Sequence, residues 1–430
     1  MMSSKLVPEV RFEEFSGEWE EKKLGEVYTF KVTNSFSRDK LNYNQGLVKN
    51  IHYGDIHTKF SILFDIRKEK VPYINLAINL EKIKQEYYCQ ESDIIFADAS
   101  EDLNDVGKSI EIFNLNNEKV LSGLHTLLAR QKNNNFIKGF GGYLFKSIKI
   151  RKAIQREAQG TKVLSISANR LSNIKINFSE SKQEQQKIAD TFSSLDNLIE
   201  AQTKKVELLK SHKKGLMQKL FPRDGAKVPE VRFKEFSGEW EEKKLGELCK
   251  TAKSGGTPTS TNQEYYNGDI PFLAISDMTK QGKYLTTTSK MITQEGLDNS
   301  ASWIVPKDTI IYSMYASVGF VSINKIPLAT SQAVINLILK DNINREFIYY
   351  FLVYYKQHIH KLIETGTQGN LNAKSVKSIK ILIPPTPQEQ QKIANTISSL
   401  DNLIEAQTKK VELLKEHKKG LMQKMFVGDK

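Results

Sequence analysis

The sequence predicts two mixed α/β domains separated by two long helices that pair as an antiparallel coiled coil, with an internal pseudo-twofold repeat. Three observations predict it. The 39-residue stretch from Gln183 to Phe221 returns at Gln388 to Phe426 with four differences: Asp190/Asn395, Phe192/Ile397, Ser211/Glu416 and Leu220/Met425. A second stretch, Val7 to Glu26, returns at Val228 to Glu247 with Glu13/Lys234 as its one change. The segments between these repeats, about 27–177 and 248–383, differ strongly from each other, yet both carry short β-type apolar runs punctuated by Gly, Asn and Pro.

Heptad spacing defines the helices. Ile188, Leu195, Leu209 and Leu216 form one edge of a seam, and Phe192, Ile199, Val206 and Leu220 the other. The second copy repeats it with Ile393, Ile397, Leu400, Ile404, Val411, Leu414, Leu421 and Met425; Gln202, Lys213, Gln407 and Lys418 interrupt the seams. Ser181 with Glu184, and Thr386 with Glu389 beside Pro387, read as capping boxes. Acids dominate the first half of each helix (Glu184, Asp190, Asp196, Glu200) and lysines the second (Lys204, Lys205, Lys210, Lys213, Lys214, Lys219). A parallel pair would set base against base, whereas an antiparallel pair sets acid against base along its length. At about 1.5 Å per residue each helix is a rod of roughly 55 Å.

The chain therefore divides at 1–180, 181–222, 223–385 and 386–430, as head, helix, head, helix. Strands are expected at Ile94–Ala97, Thr309–Met314, Ala333–Leu339 and Ile379–Ile383, and a helix at Phe347–Ile363. Faint parallels suggest that the heads share a fold. Tyr53-Gly-Asp-Ile56 sits where Ile275-Ser-Asp-Met278 sits, Asp93–Phe96 where Thr309–Tyr312 sits, Gly107 where Gly319 sits, and Gly160-Thr161 where Gly366-Thr367 sits. Two alike scaffolds carrying two unlike heads suit two specificities better than one active site.

The 430 residues suffice for two or three cores, and a formal charge of +13 favours an anionic partner, with nucleic acid leading. Cys89 and Cys249 lie in no metal-ligand spacing, and free thiols in a reducing cytoplasm are expected. The start is charged, and the longest apolar run, Phe347 to Tyr355, is too short to span a bilayer, so neither a signal peptide nor a membrane partner is expected. Catalytic motifs are wanting. Pro384-Pro385 lacks the flanking Asn/Asp and aromatic residues of amino-methylation; Gly139-Phe-Gly-Gly142 has too little context for a cofactor loop. Gly107-Lys108-Ser109 resembles the end of a phosphate loop, but Asp102 stands where that loop needs Gly. His358 and His360 face different ways on a helix, and the aromatic run 347–355 distributes its rings all round, as a buried helix does.

The whole chain resembles the specificity subunits of type I DNA restriction–modification systems. The likeness rests on the Gln-Glu-Gln-Gln-Lys-Ile openings at Gln183 and Gln388, the repeated SLDNLIEAQ…KKVELLK…KKGLMQK helices, and the Ser254-Gly-Gly-Thr-Pro258 turn followed by Asn267-Gly-Asp-Ile-Pro271. The first head departs from it, with Lys31-Val-Thr-Asn-Ser35 in the turn's place. The resemblance implies a non-catalytic, DNA-binding subunit whose two target-recognition domains each read half of an asymmetric bipartite site in double-stranded DNA. It implies helices that set the spacer and meet two methyltransferase subunits, with two motor-nuclease (restriction) subunits completing the complex. S-adenosylmethionine, ATP and Mg²⁺ would belong to those partners, and none to this chain. The rival classes are a single-chain methyltransferase or nuclease, and a coiled-coil scaffold that binds no DNA.

Contacts to DNA are expected from loops of the heads. In the second, Lys253, Thr257 and Thr259 flank a Gly-Gly turn suited to close backbone approach and to phosphates; Gln332, Gln368 and Asn370 carry the donor and acceptor that read adenine, with Tyr315 and Ser331 as neighbours. In the first head the candidates are Lys31, Arg38, Asn50, His52, Asp98, Ser100 and His125.

Overall fold

The computed structural model describes residues 6–361 and 370–428. The chain forms two compact units: Met1–Thr203 with Lys409–Lys430, and Lys204–Thr408. The long helices, Lys182–Leu220 and Pro387–Met425, contribute to both.

In the first unit, a five-stranded sheet runs in the order Tyr28–Lys31, Thr126–Gln131, Ile94–Ala97, Ser109–Asn114, Leu63–Asp65. All neighbours are antiparallel except the last pair. In the second unit the order is Cys249–Ser254, Val334–Leu339, Ile310–Ser313, Val321–Asn324, Tyr284–Leu285, again with a parallel last pair. Numbered by position in the chain, both sheets read 1-5-3-4-2. Each head adds a four-stranded sheet, and the two differ in how their edge strands attach. The expected correspondences fall at matching places: Tyr53–Thr58 and Ile275–Gln281 are both helices, Ile94–Ala97 and Ile310–Ser313 are both central strands, and Gly107 and Gly319 both take positive φ. The comparison of Gly160 with Gly366 falls partly outside the described residues. The aromatic run forms the helix Arg345–Tyr355, continued as a 3-10 turn at Lys356–Lys361, with Phe347 to Leu352 buried.

The repeated anchor explains itself by what it touches. Its strand, Glu20–Lys23 in one unit and Glu241–Lys244 in the other, pairs with the strand that closes the head, Lys175–Phe178 or Lys380–Ile383. Trp19 and Trp240 are buried behind it. Arg11 grips the fully buried Glu184 with two hydrogen bonds of 2.7 and 2.8 Å, and Arg232 grips Glu389 with two of 2.8 Å. The capping boxes are therefore half formed. Ser181 and Thr386 accept from the Glu184 and Glu389 amides, but each glutamate side chain serves the arginine instead of its own helix end. The next residue of the opening, Gln185, holds the approaching chain through Ile137 N, Asn135 O and Ser179 O, and Gln390 accepts from Asn344 N.

Within each unit, the first half of one long helix meets the second half of the other, which is the antiparallel arrangement. Ile188, Phe192 and Leu195 pack with Leu421, Met425 and Phe426 in one unit; Leu216, Met217 and Leu220 join Ile393 and Ile397 in the core of the other. Lys418 pairs with Asp196, and Lys213 with Asp401. The lysines that interrupt the heptads are thus the cross-helix ion pairs. The seam is discontinuous, contrary to the heptad reading. Ile188, Phe192, Val206, Leu220, Ile393, Ile397, Val411 and Met425 are buried, but Leu195, Ile199, Leu209, Leu216, Leu400, Ile404, Leu414 and Leu421 are only partly covered. Partly covered positions lie in the last turns (Leu216, Leu421) as well as in the middle (Ile199, Leu209, Ile404, Leu414), because a pair of helices leaves the flanks of its seam in contact with solvent. Nor do acid and base meet along the whole length: Glu200 and Lys187 turn to Lys68 and Glu14 of their head.

Arg232→Met leaves Glu389 buried without its cation and should destabilise the second unit by about 3–5 kcal/mol. Arg232→Met with Glu389→Met should restore most of the loss. Calorimetric melting of the full chain checks both; equal midpoints for the single and double variants would refute the clamp.

Candidate nucleic-acid interface

In the first head, side chains from three loops converge. His52 caps the helix Tyr53–Thr58 by accepting the Gly54 amide at Nδ1, and its ring lies 4.6 Å from that of Tyr53. Tyr53 meets the edges of His57 and His125 at 5.6 and 5.2 Å. His125 takes left-handed backbone at φ +51°, with Nδ1 3.4 Å from Asp98 Oδ1. Beside them Arg38 and Lys59 share the buried carboxylate of Asp55, leaving a net positive charge. Burial raises the Asp55 carboxyl, but the two cations outweigh it and hold it below its ordinary value. Burial, then Arg38, pushes His52 down to about 4; burial also lowers His57 and raises Asp98, the latter opposed by His125.

The other candidates of this head serve the protein itself. Asn50 is fully buried and accepts from Asn34, and Ser100 is buried and accepts the Asp102 amide. Neither side chain lies on the surface in this conformation. Lys31 is paired with Glu86. Sequence reasoning missed Tyr53 and His57; both stand on the helix that His52 caps, and nothing in their spacing shows that His125, much later in the chain, packs against Tyr53.

In the second head the convergence is tighter. The amides of Met314 and Tyr315 both donate to Ala333 O, Leu371 N donates to Met314 O and so places Asn370 alongside, and Ser331 Oγ accepts from the Ala333 amide. Thr257 Oγ1 donates to Gln332 Oε1 at 2.8 Å. Tyr315, Gln332, Thr257 and Thr259 are exposed, and Asn370 partly so. Lys253 stands 4.3 Å above the ring of Trp303, a neighbour that the sequence did not suggest. Gln368 lies outside the described residues. The Gly-Gly turn has another explanation than DNA approach: a Cβ on Gly255 would stand 1.8 Å from Thr330 O, and one on Gly256 2.7 Å from Ala301 Cβ. The protein's own backbone fills that space.

The discounted glycine motifs are also structural. Gly139 and Gly142 direct their amides at the buried carboxylate of Glu111, at 2.6 Å each, while burial raises that carboxyl to about 7. Lys108 pairs with Asp105 and donates to His57 O. Among the described residues no group of three or more His, Cys, Asp or Glu side chains could hold a metal, and no helix is long and apolar enough to cross a membrane.

The family described as type I restriction modification DNA specificity domain matches residues 16–210 and again 237–416. The chain belongs to that family. Each match of this specificity chain takes in one head and most of the long helix after it. It is 28% identical over 431 aligned positions to a putative type I restriction enzyme MjaX specificity subunit of Methanocaldococcus jannaschii, covering 96% of this chain and 94% of the relative. It is 31% identical over 206 positions to the MjaIX specificity subunit of the same organism, 46% of this chain and 47% of that one. In fold it matches the crystal structure of a type I restriction–modification S subunit from M. genitalium, with a TM-score of 0.59 at 18% identity over 99% of this chain and 100% of the other. A second type I system structure, described under complex assembly and conformational transition, gives 0.61 at 16% identity over 96% and 98%.

His52 caps its helix only when Nδ1 is unprotonated. Its folded value lies below the ordinary 6.5, so its contribution is present above about pH 6.5 and is lost as pH falls toward 4. His52→Asn keeps a capping acceptor without a titrating group and should flatten the melting temperature of the first unit across that window. An unchanged pH profile would show that His52 does not set it.

Proposed function

We propose that this chain is the DNA-reading, non-catalytic subunit of a type I restriction–modification complex, each head reading one half of an asymmetric bipartite site. The observation that carries the reading is two heads of one strand order, 1-5-3-4-2, whose convergent loops present different side chains: Arg38, His52, Tyr53, Asp98 and His125 in one, Thr257, Tyr315, Ser331, Gln332 and Asn370 in the other. Histidine with an aspartate behind it suits donation to guanine acceptors, and the Gln and Asn amides suit adenine. Lys253 and Arg38 serve phosphates.

The long helices, each shared by both units, are the element that would fix the unread spacer. Their 39 residues amount to about 58 Å, ample for half-sites about one turn, roughly 34 Å, apart. Their repeated outer faces, with Leu198, Leu208, Leu403 and Leu413 exposed, support docking of two methyltransferase subunits. In this reading S-adenosylmethionine belongs to those subunits, ATP and Mg²⁺ to two restriction subunits, and the complex works on double-stranded DNA in the cytoplasm.

Inserting four residues near Gln202 should lengthen the spacer of the methylated motif and leave its bases unchanged, as read by long-read methylation mapping of a strain carrying the chain with its methyltransferase. Altered bases at unchanged spacing would refute the ruler. In the same assay Gln332→Ala should relax one base of a single half-site, weakening discrimination there by about 1–3 kcal/mol; an identical motif would remove Gln332 from the interface.

A further inference from the structure

The two helix copies are almost the same, but the ground beside them differs. In the second unit, the late turns of the first long helix and the helix Arg345–Tyr355 with its 3-10 continuation enclose a groove of about 550 Å³. Met217, Val353, Tyr354 and Ile404 line it, and Lys210, Lys213, Lys214 and Lys356 rim it. Lys213 is committed to Asp401, and Lys356 stands over the ring of Phe320. Lys210 and Lys214 are exposed and meet no carboxylate among the described residues.

The first unit treats the same position differently. Tyr143 donates to Asp196 as Tyr350 does to Asp401, at 2.9 and 2.8 Å, which aligns Lys146 with Val353. A lysine therefore takes the sequence position of the apolar Val353, and the corresponding cavity of the first unit, beside Ser147, Ile148, Met422 and Gln423, is smaller, about 220 Å³. Lys418, the twin of Lys213, stands 5.3 Å from the ring of Tyr143, three residues before Lys146, and burial, followed by Arg151, Lys108 and Lys418, lowers the Lys146 ammonium to about 8. The helix copies themselves add to the contrast: Ser211, beside Lys210, becomes Glu416, beside Lys415.

We infer that the groove of the second unit takes one acidic, amphipathic helical segment of the methyltransferase, an apolar side chain seated against Val353 and Tyr354 and carboxylates on Lys210 and Lys214, and that the first unit offers no equal seat. The inference rests on the docking reading above. An apolar groove with two uncommitted cations selects an apolar anchor flanked by acid, and the constant helix that forms one wall is the surface assigned to the methyltransferase. The two methyltransferase copies are consequently bound unequally.

The test uses the full chain titrated with the methyltransferase subunit, with stoichiometry and stepwise affinity read by native mass spectrometry. Lys210→Glu with Lys214→Glu should weaken one of two binding steps by about 10–100-fold, as reversal of paired interfacial charges does. Lys415→Glu with Lys419→Glu, the same helix positions in the other copy, should change neither step by more than about twofold. Val353→Lys, which imports the residue of the first head, should weaken the same step as the first pair. Equal losses from both pairs, or from neither, would overturn the inference while leaving docking intact. A wild-type chain that binds no methyltransferase would overturn the docking reading itself.

Discussion

A guanidinium locked onto a fully buried carboxylate is the constraint on which the rest of this structure depends. Arg11 with Glu184, and Arg232 with Glu389, join residues 173 and 157 positions apart. A carboxylate at the opening of a long helix cannot be buried without a partner. The partner comes from the anchor that precedes each head, so the head is fastened at both its ends to the helix that follows it. This explains why anchor and helix are repeated together: a change in either would strand a charge. The arrangement leaves the residues between them free to differ as long as they keep the closing strand that pairs with the anchor.

The heads show how far that freedom goes. Their central sheets keep strand order and direction because the core behind them, built on Trp19 or Trp240 and on Phe192 or Ile397, needs the same layers. The loops at the sheet ends carry no such load. There the first head gathers histidines around Tyr53, and the second places amides and hydroxyls around Ala333. Loops on a rigid scaffold are where recognition can change at little cost to folding. Division of labour between fixed layers and variable ends is the arrangement that the proposed reading of two unlike half-sites calls for.

The candidate contacts divide by a physical rule. Residues chosen for hydroxyl or amide chemistry lie on the surface where the loop stands clear, as at Thr257, Tyr315 and Gln332, and turn inward where another group of the protein takes their oxygen, as the Asn34 amide does at Asn50 and the Asp102 backbone N–H at Ser100. The Gly-Gly turn has the same lesson. Its glycines are required by Thr330 and Ala301, so the same tight turn would be needed whether or not DNA came near.

What the sequence by itself determined was whatever repeats: the duplicated layout, the two helices with their antiparallel sense, and the family likeness. Heptads, charge halves and copied segments are local or self-referential signals, legible without knowing any contact. Only the tertiary structure decided which heptad positions are covered, that Lys213 and Lys418 pair across helices, that Glu184 and Glu389 serve the anchors, and which loop side chains come together. Each of those depends on a partner far away in the chain, and a polar side chain's fate, surface group or buried prop, is set by that partner's position rather than by its own type.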